Sequence, residues 1–330
     1  MSGVRSVLVT GAYGLLGSSL CRALSDRGDR VVALARHVRP HSPLVLDRAP
    51  IASVCGDVCD GSFVAETLGE HAVDTVVHLA AQVLVGEAML MPVSTFEVNV
   101  RGTWTVLEAC RRHGVTRVVV ASTDKVYGAG GQLPFHEGMP LYPRFPYESS
   151  KAAADLIARS YWESFGLPVA VTRFANIYGG GDLNPSRLIP EVIAAVLEDR
   201  RPVLRSDGRD ERDYLHVDDA VSAYLAILAA LDAPWVDGGS GVGACGEAFN
   251  AGTGQAHSVL DIVSLVGRLS GREVSPEIRG PGTPRGEISR LLVDSSKLQR
   301  LTGWSPAVGL EEGLRRTIDW YRRHPRALTS

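Results

Sequence analysis

The sequence predicts an α/β protein: a doubly wound parallel sheet followed by a smaller mixed α/β lobe. Three observations carry this. Short β-branched runs alternate with helical patterns up to residue 175, a glycine-rich turn joins the first run to the first helix, and the rhythm changes after residue 176.

Strands are expected at residues 4–10, 30–35, 52–55, 73–79, 117–122 and 169–174. Most are continuous apolar runs rather than alternating ones, as parallel strands buried on both faces require. Helical stretches lie between them, and Gly28, Gly114 and Gly166 each stand just past a helix end. Within residues 94–113, Phe96, Val100, Leu107 and Cys110 fall on one helical face. Right-handed crossovers turn such an alternation into a Rossmann-type domain, here residues 1–175. In residues 176–330 glycine, proline and arginine become frequent and the elements shorten. Helices are expected there at 187–199, 217–231, 259–269 and 310–323, with Ser258 and Asp261 capping the third. "DAPWVDGGSGVGACG", residues 232–246, reads as a surface loop. The chain is expected to cross back between the two lobes, and ligands to bind in the cleft between them.

The totals exclude several classes. A formal charge of −3, with 45% apolar and 22% charged residues, offers no electrostatic case for nucleic acid or an anionic membrane surface. No apolar run is long enough to span a bilayer, and the N-terminus lacks a signal pattern. The five cysteines form no C-x-x-C pair, and the histidines show no metal-ligand spacing. A cytoplasmic protein with free thiols and no metal is expected.

"VTGAYGLLGSSL" places Gly11, Gly14 and Gly17 between the first strand and the first helix, in the order G-x-x-G-x-x-G. Glycines there permit a tight turn and close backbone approach, and the helix N-terminus faces a pyrophosphate. The cofactor contacts expected from this turn include Tyr13, Leu15 and Leu16. The second strand ends in Arg36, where an NAD enzyme usually carries an acid for the ribose 2′-hydroxyl. An arginine there admits NADP as well as NAD, or simply stacks beside the adenine. Asp57 and Val58 follow the third strand, with Asp57 placed to accept from the adenine amino group. Leu79, Ala80 and Ala81 end the fourth strand with small residues where the cofactor must pass, and Asn99 completes the expected set. His78 reads as a satisfied core histidine.

The fifth strand breaks into Ser122, Thr123, Asp124 and Lys125, and Tyr147 and Lys151 follow four residues apart in "YESSK". That spacing puts both on one helix face. Lys151 can hold the nicotinamide ribose and lower the tyrosine pKa, which makes Tyr147 a usable base, and Thr123 would bond the same substrate oxygen.

"TGAYGLLG", "HLAAQ", "ASTDKVYG", "YESSK", "RFANIYGGGD", "RDYLHVDD" and "GWSP" occur in order from residue 9 to 306. In these motifs the chain resembles the extended short-chain dehydrogenase/reductases, the NAD-dependent nucleotide-sugar epimerases and dehydratases. The Asp124–Lys125 pair is similar to CDP-glucose 4,6-dehydratases and to inverting UDP-N-acetylglucosamine dehydratases, and "YGGGDLNPSRLIPEVI" leans towards the CDP-glucose type. "ERDYLHVDD" is closer to the general epimerase motif, which leaves the nucleotide open. The resemblance implies an internal redox cycle giving a 4-keto-6-deoxy sugar nucleotide. Tyr147 takes the 4-hydroxyl proton as hydride leaves C4 for the nicotinamide, Lys125 removes the C5 proton, and Asp124 protonates the departing 6-hydroxyl. It further implies a nucleotide-diphosphate sugar held by Asn176, Arg187, Arg205, Arg212 and Arg290, and a homodimer built from helices 94–113 and 147–165. A C4 epimerase or decarboxylase of the same superfamily is the alternative, and a non-catalytic cofactor sensor is a second one.

Overall fold

Alternate residues of the apolar runs feed two different cores in the computed structural model, which describes residues 4–48, 50–232 and 243–328. Val7 and Val9 of β1 (Ser6–Thr10) pack with Leu20 and Leu24 on one side of the sheet, while Leu8 packs with Val32, Val106 and Leu107 on the other. β2 (Arg30–Ala35), β3 (Ala52–Cys55), β4 (Thr75–His78), β5 (Arg117–Ala121) and β6 (Val169–Phe174) occupy the remaining expected places. Both faces of these strands need apolar cover, and this explains the unbroken runs.

Five short strands of the second half carried no clear run: β7 (Asn176–Tyr178), β8 (Val203–Leu204), β9 (Glu211–His216), β10 (Ala248–Ala251) and β11 (Ala256–Ser258); β12 (Glu277–Ile278) makes a sixth. The large sheet is parallel throughout, in the order β10-β6-β5-β4-β1-β2-β3. β10 reaches it from beyond residue 176, and the Val217–Ala230 helix likewise packs on the Leu15–Asp26 helix. A smaller sheet, β11-β9-β7, and a parallel pair, β12-β8, support the other lobe around Tyr178, Val192, Ile193, Ile262 and Leu314.

The Val259–Leu269 and Leu310–Arg323 helices have the expected bounds. Ser258 Oγ accepts from Asp261 N and Asp261 Oδ2 accepts from Ser258 N, which closes the capping box. Gly114 and Gly166 adopt φ of 64° and 66° at their helix ends, the left-handed region where a side chain is strained. One helical reading changes. The stretch expected as a single helix at 94–113 is Pro92–Phe96, a π turn at Glu97–Arg101, and Gly102–His113. The wide turn shifts the upstream face, so Phe96 stays exposed while Leu107 and Cys110 are buried. Of the loop expected at 232–246, residues 233–242 lie outside the described ones. Among the described residues no helix is long and apolar enough to cross a membrane, and the five cysteines are free thiols.

Candidate active site

Strand order reverses between β1 and β4, and ligands in open α/β sheets bind beyond the carboxyl ends of strands at such a point. A cleft of about 1090 Å³ opens there and continues under the second lobe. It exceeds the size of a pocket for one small ligand and suits a dinucleotide beside a nucleotide sugar.

Gly11, Tyr13, Gly14, Leu15, Leu16 and Gly17 line one end. Gly11 has φ 69°, and a Cβ there would sit 2.9 Å from the Ala80 nitrogen, so only glycine lets the turn close on the loop after β4. A Cβ on Gly17 would collide with the Gly11 carbonyl. At Gly14 the nearest atom would be Gly11 O at 3.4 Å, with nothing else within 4 Å, so the space in front of that backbone is open. The following helix has no side-chain cap and no acid in its first turn, which leaves its N–H groups for an anion. A dinucleotide pyrophosphate fits this cradle. Arg36, Asp57, Val58, Leu79, Ala80 and Ala81 also line the cleft, and Asp57 Oδ1 accepts from Cys59 N at 2.9 Å.

Asn99 does not line it, which corrects the expectation of a direct contact. The π turn carries this side chain inward, where it bonds Gln82 N at 2.7 Å, Gln82 O at 2.9 Å and Ser150 Oγ at 2.9 Å. Its donors and acceptor are spent on holding the loop that does line the cleft. His78 is a core histidine, bonded to Thr10 Oγ1 at 2.9 Å and Thr103 Oγ1 at 3.2 Å. Burial, with Lys151 nearby, pulls its pKa down to about 3.

Thr123, Lys125, Tyr147 and Lys151 meet at the middle of the cleft wall. β5 delivers the first two at its carboxyl end, and the Pro146–Phe165 helix brings the others on one face. The Thr123 hydroxyl stands beside the Tyr147 phenol and favours its ionised form. Burial pushes that phenol up to about 12, against the pull of Thr123 and of the Arg187 guanidinium. Burial outweighs these favourable partners of the phenol. Lys151 Nζ donates to Ala121 O at 2.5 Å, and burial brings its pKa down to about 8.

Asp124 and Lys125 are both turned inward. Lys125 Nζ stands 3.8 Å from Asp124 Oδ1 and donates to Asn176 Oδ1 at 3.2 Å. Asp124 is 1% exposed and lies behind the wall rather than in it; Oδ1 accepts from Thr123 Oγ1 at 3.1 Å, while Oδ2 is buried without a partner.

The second lobe contributes Asn176, Arg187, Arg205 and Arg212 to the lining. Arg212 is held by Glu287 at 3.3 Å, Arg187 by Asp182 at 3.2 Å, and Arg205 by the Ser186 carbonyl at 3.0 Å. Arg290 is not brought to the cleft: it pairs with Glu211 at 2.7 Å, and its side chain is 57% exposed. Arg285 and Glu287, in the loop "GTPRGE", line the cleft instead. The signal for them was an arginine set among glycine and proline, the composition of a loop that can approach a ligand closely. Ser122 was missed too; it lines the wall with Oγ buried and unpartnered.

Residues 7–252 match the model of the NAD dependent epimerase/dehydratase family. The chain is 36% identical to dTDP-glucose 4,6-dehydratase of Streptomyces griseus over 326 residues, covering 96% of this chain and 94% of that one. It is 31% identical to UDP-glucose 4-epimerase of Halalkalibacterium halodurans, with 97% and 96% covered. The structure of DesIV, a dTDP-glucose 4,6-dehydratase from Streptomyces venezuelae with NAD and TYD bound, superposes with a TM-score of 0.86 at 32% identity, covering 97% of this chain and 98% of that one. With the glycine cradle, the Thr-Tyr-Lys set and these likenesses in agreement over nearly its whole length, the chain belongs to the NAD-dependent epimerase/dehydratase family.

Proposed function

We propose that the protein is a nucleotide-sugar 4,6-dehydratase, a lyase that converts an NDP-hexose to its 4-keto-6-deoxy form. The observation that carries this reading is the inward-facing Asp124–Lys125 pair beside Tyr147. A reaction confined to C4 needs the hydroxyl, the phenol and Lys151; removing water across C5 and C6 needs one more base and one more acid.

The residues divide the work as follows. Residues 1–175 hold the dinucleotide, NAD in the Streptomyces venezuelae relative, and residues 176–330 the nucleotide diphosphate. A dinucleotide held there would supply a hydride acceptor for C4 and a hydride donor for C6. Tyr147 takes the 4-hydroxyl proton, with Thr123 beside the phenol and Lys151 anchored on Ala121. Lys125 removes the proton at C5, made acidic by the adjacent ketone, and gives it back to C5 as hydride reaches C6. Asp124, reached through Thr123 and Lys125, supplies the proton for the departing 6-hydroxyl. Arg187, Arg205, Arg212 and Arg285 present guanidinium forks to the diphosphate.

A C4 epimerase is the second reading, favoured by the place of Asp124 behind the wall and by the epimerase relative. Incubation with dTDP-glucose, UDP-glucose and CDP-glucose separates the two. dTDP-glucose is the substrate named for two of the relatives, and CDP-glucose is the one the Asp-Lys pair points to. A product lighter by one water and bearing a 4-ketone is expected from at least one of them; a C4 epimer of unchanged mass would replace this reading with the other.

We also propose that two copies pair through the helices around Glu97–His113 and Pro146–Phe165. Trp104, Leu156 and Phe165 are large apolar side chains exposed on these mutually packed helices, and Leu90 and Val93 are exposed on the two short helices, Val85–Leu90 and Pro92–Phe96, that also pack on the second of them. Leu156→Glu is expected to shift the mass in light scattering from two chains to one; an unchanged mass would rule this face out.

A further inference from the structure

A buried acid at the start of the helix that carries Tyr147 has no part in the steps above. Glu148 is 1% exposed, yet it does not line the cleft. Its Oε2 accepts from Arg144 N at 2.8 Å and from Phe145 N at 3.4 Å, closing the first turn of the Pro146–Phe165 helix. That duty occupies one oxygen. Oε1 is buried with no hydrogen-bond partner among the described residues, a costly state for a carboxylate unless a donor can reach it. The Asp124–Tyr127 turn, which carries Lys125, packs on this helix. The two are pressed together: Tyr142 N, ahead of the helix, donates to Val126 O at 3.0 Å, and a Cβ on Gly128 would collide with the Tyr142 carbonyl. Burial pushes the Glu148 carboxyl up, while the two amides and nearby Lys125 pull it back.

An ammonium has three N–H donors, and for Lys125 the structure accounts for one, to Asn176 Oδ1, with Asp124 Oδ1 at 3.8 Å. We propose that Glu148 is a positioning residue for the step at C5: its open oxygen receives the Lys125 amine as that amine takes the proton. This rests on the proposed role of Lys125 as the base. The C5–H bond breaks, its electron pair passes into the C4 ketone as an enolate, and the proton goes to Nζ, from which it later returns to C5. No proton passes to Glu148. Positive charge grows on Nζ as the proton arrives, so a carboxylate bonds the transition state more strongly than the ground state.

Glu148→Gln tests this in the holoenzyme, with dTDP-glucose, UDP-glucose and CDP-glucose in turn. Glutamine keeps an oxygen for the two amides and removes the charge. Entry of deuterium from heavy water at C5, and water loss with it, should slow by about ten- to a hundredfold, the worth of one hydrogen bond to a charged group. The rise of reduced-cofactor absorbance in a single turnover, which reports C4, should keep its rate. A purely structural cap would move both readouts, because Tyr147 and Lys151 ride on the same helix. Glu148→Asp keeps the charge but withdraws it by one methylene. It should slow C5 exchange less than glutamine does, and it serves alone against the parent if the glutamine variant does not fold. In the Lys125→Met background Glu148→Gln should add nothing. An unchanged C5 rate, an equal loss at C4, or an aspartate variant slower than the glutamine one overturns the proposal and leaves Lys125 in place. No effect of Lys125→Met at C5, or no 4-ketone from any of the three sugars in the parent, overturns the base and this proposal together.

Discussion

Lys125→Met is expected to lower the rate of water loss by about 10²–10⁴-fold, the usual contribution of a positioned general base, while oxidation at C4 continues. Methionine keeps the length and apolar stem of the side chain and removes only the amine. Thr123 and Lys151 do not depend on that amine for position: Thr123 bonds Asp124 and Lys151 rests on Ala121. Asn176 loses one partner, but it faces the cleft, where water can take the vacated place. Two readouts separate the steps. Reduced cofactor should accumulate in its near-ultraviolet absorbance, and deuterium from heavy water should no longer enter C5. Asp124→Asn should differ, since the base survives: deuterium still enters C5, but the 6-hydroxyl departs slowly. Water loss at the original rate in Lys125→Met would remove that residue from the mechanism.

Arg173→Met is expected to cost about 3–5 kcal/mol of unfolding free energy, the typical price of stranding one member of a buried ion pair. Arg173 is 1% exposed and donates to both oxygens of Asp155, at 2.8 and 2.9 Å, and to Tyr127 OH at 3.1 Å. Asp155 has no exposure, so its carboxylate would be left charged in the interior. The pair ties β6 to the helix that carries Tyr147 and Lys151. Replacing both, as Arg173→Met with Asp155→Leu, should recover most of the loss, because a well-packed apolar pair avoids the desolvation of two ions. Denaturant unfolding at constant slope measures both variants, and a mild single variant would contradict the account. The double variant also carries a pH signature. Asp155 raises the proton affinity of Lys151, whose pKa burial has already brought to about 8. Without that carboxylate the pKa falls further, so activity that needs the lysine cation should decline at lower pH than in the parent.

Much of the architecture was legible because it is written in short-range periodicity. Unbroken valine runs announced strands covered on both sides, and the glycine triplet between a strand and a helix announced the cradle. The four-residue interval from Tyr147 to Lys151 put two groups on one helix face without any knowledge of what lay opposite. β10 escaped, since "AFNA" is too short to show a period and becomes a strand only by pairing with β6.

The site was legible in its chemistry and less so in its geometry. Arg285 and Arg290 lie five residues apart in one stretch, and either suits a phosphate by composition; the bridge from residue 290 to Glu211 aims one at a surface carboxylate and leaves the other on the cleft. Asn99 has the polarity of a ligand contact, yet the π turn spends its amide on Gln82 and Ser150. Asp124 and Lys125 are neighbours in the chain but stand at different depths, because one turn of 3₁₀ helix after β5 sends successive side chains in different directions. Residue order alone thus decides elements, cradle and reagent types, all of which follow from contacts within a few residues. Which arginine meets the cleft, which polar group is spent on the scaffold, and how deep the acid lies are settled by segments far apart in the chain, where only packing brings the partners together.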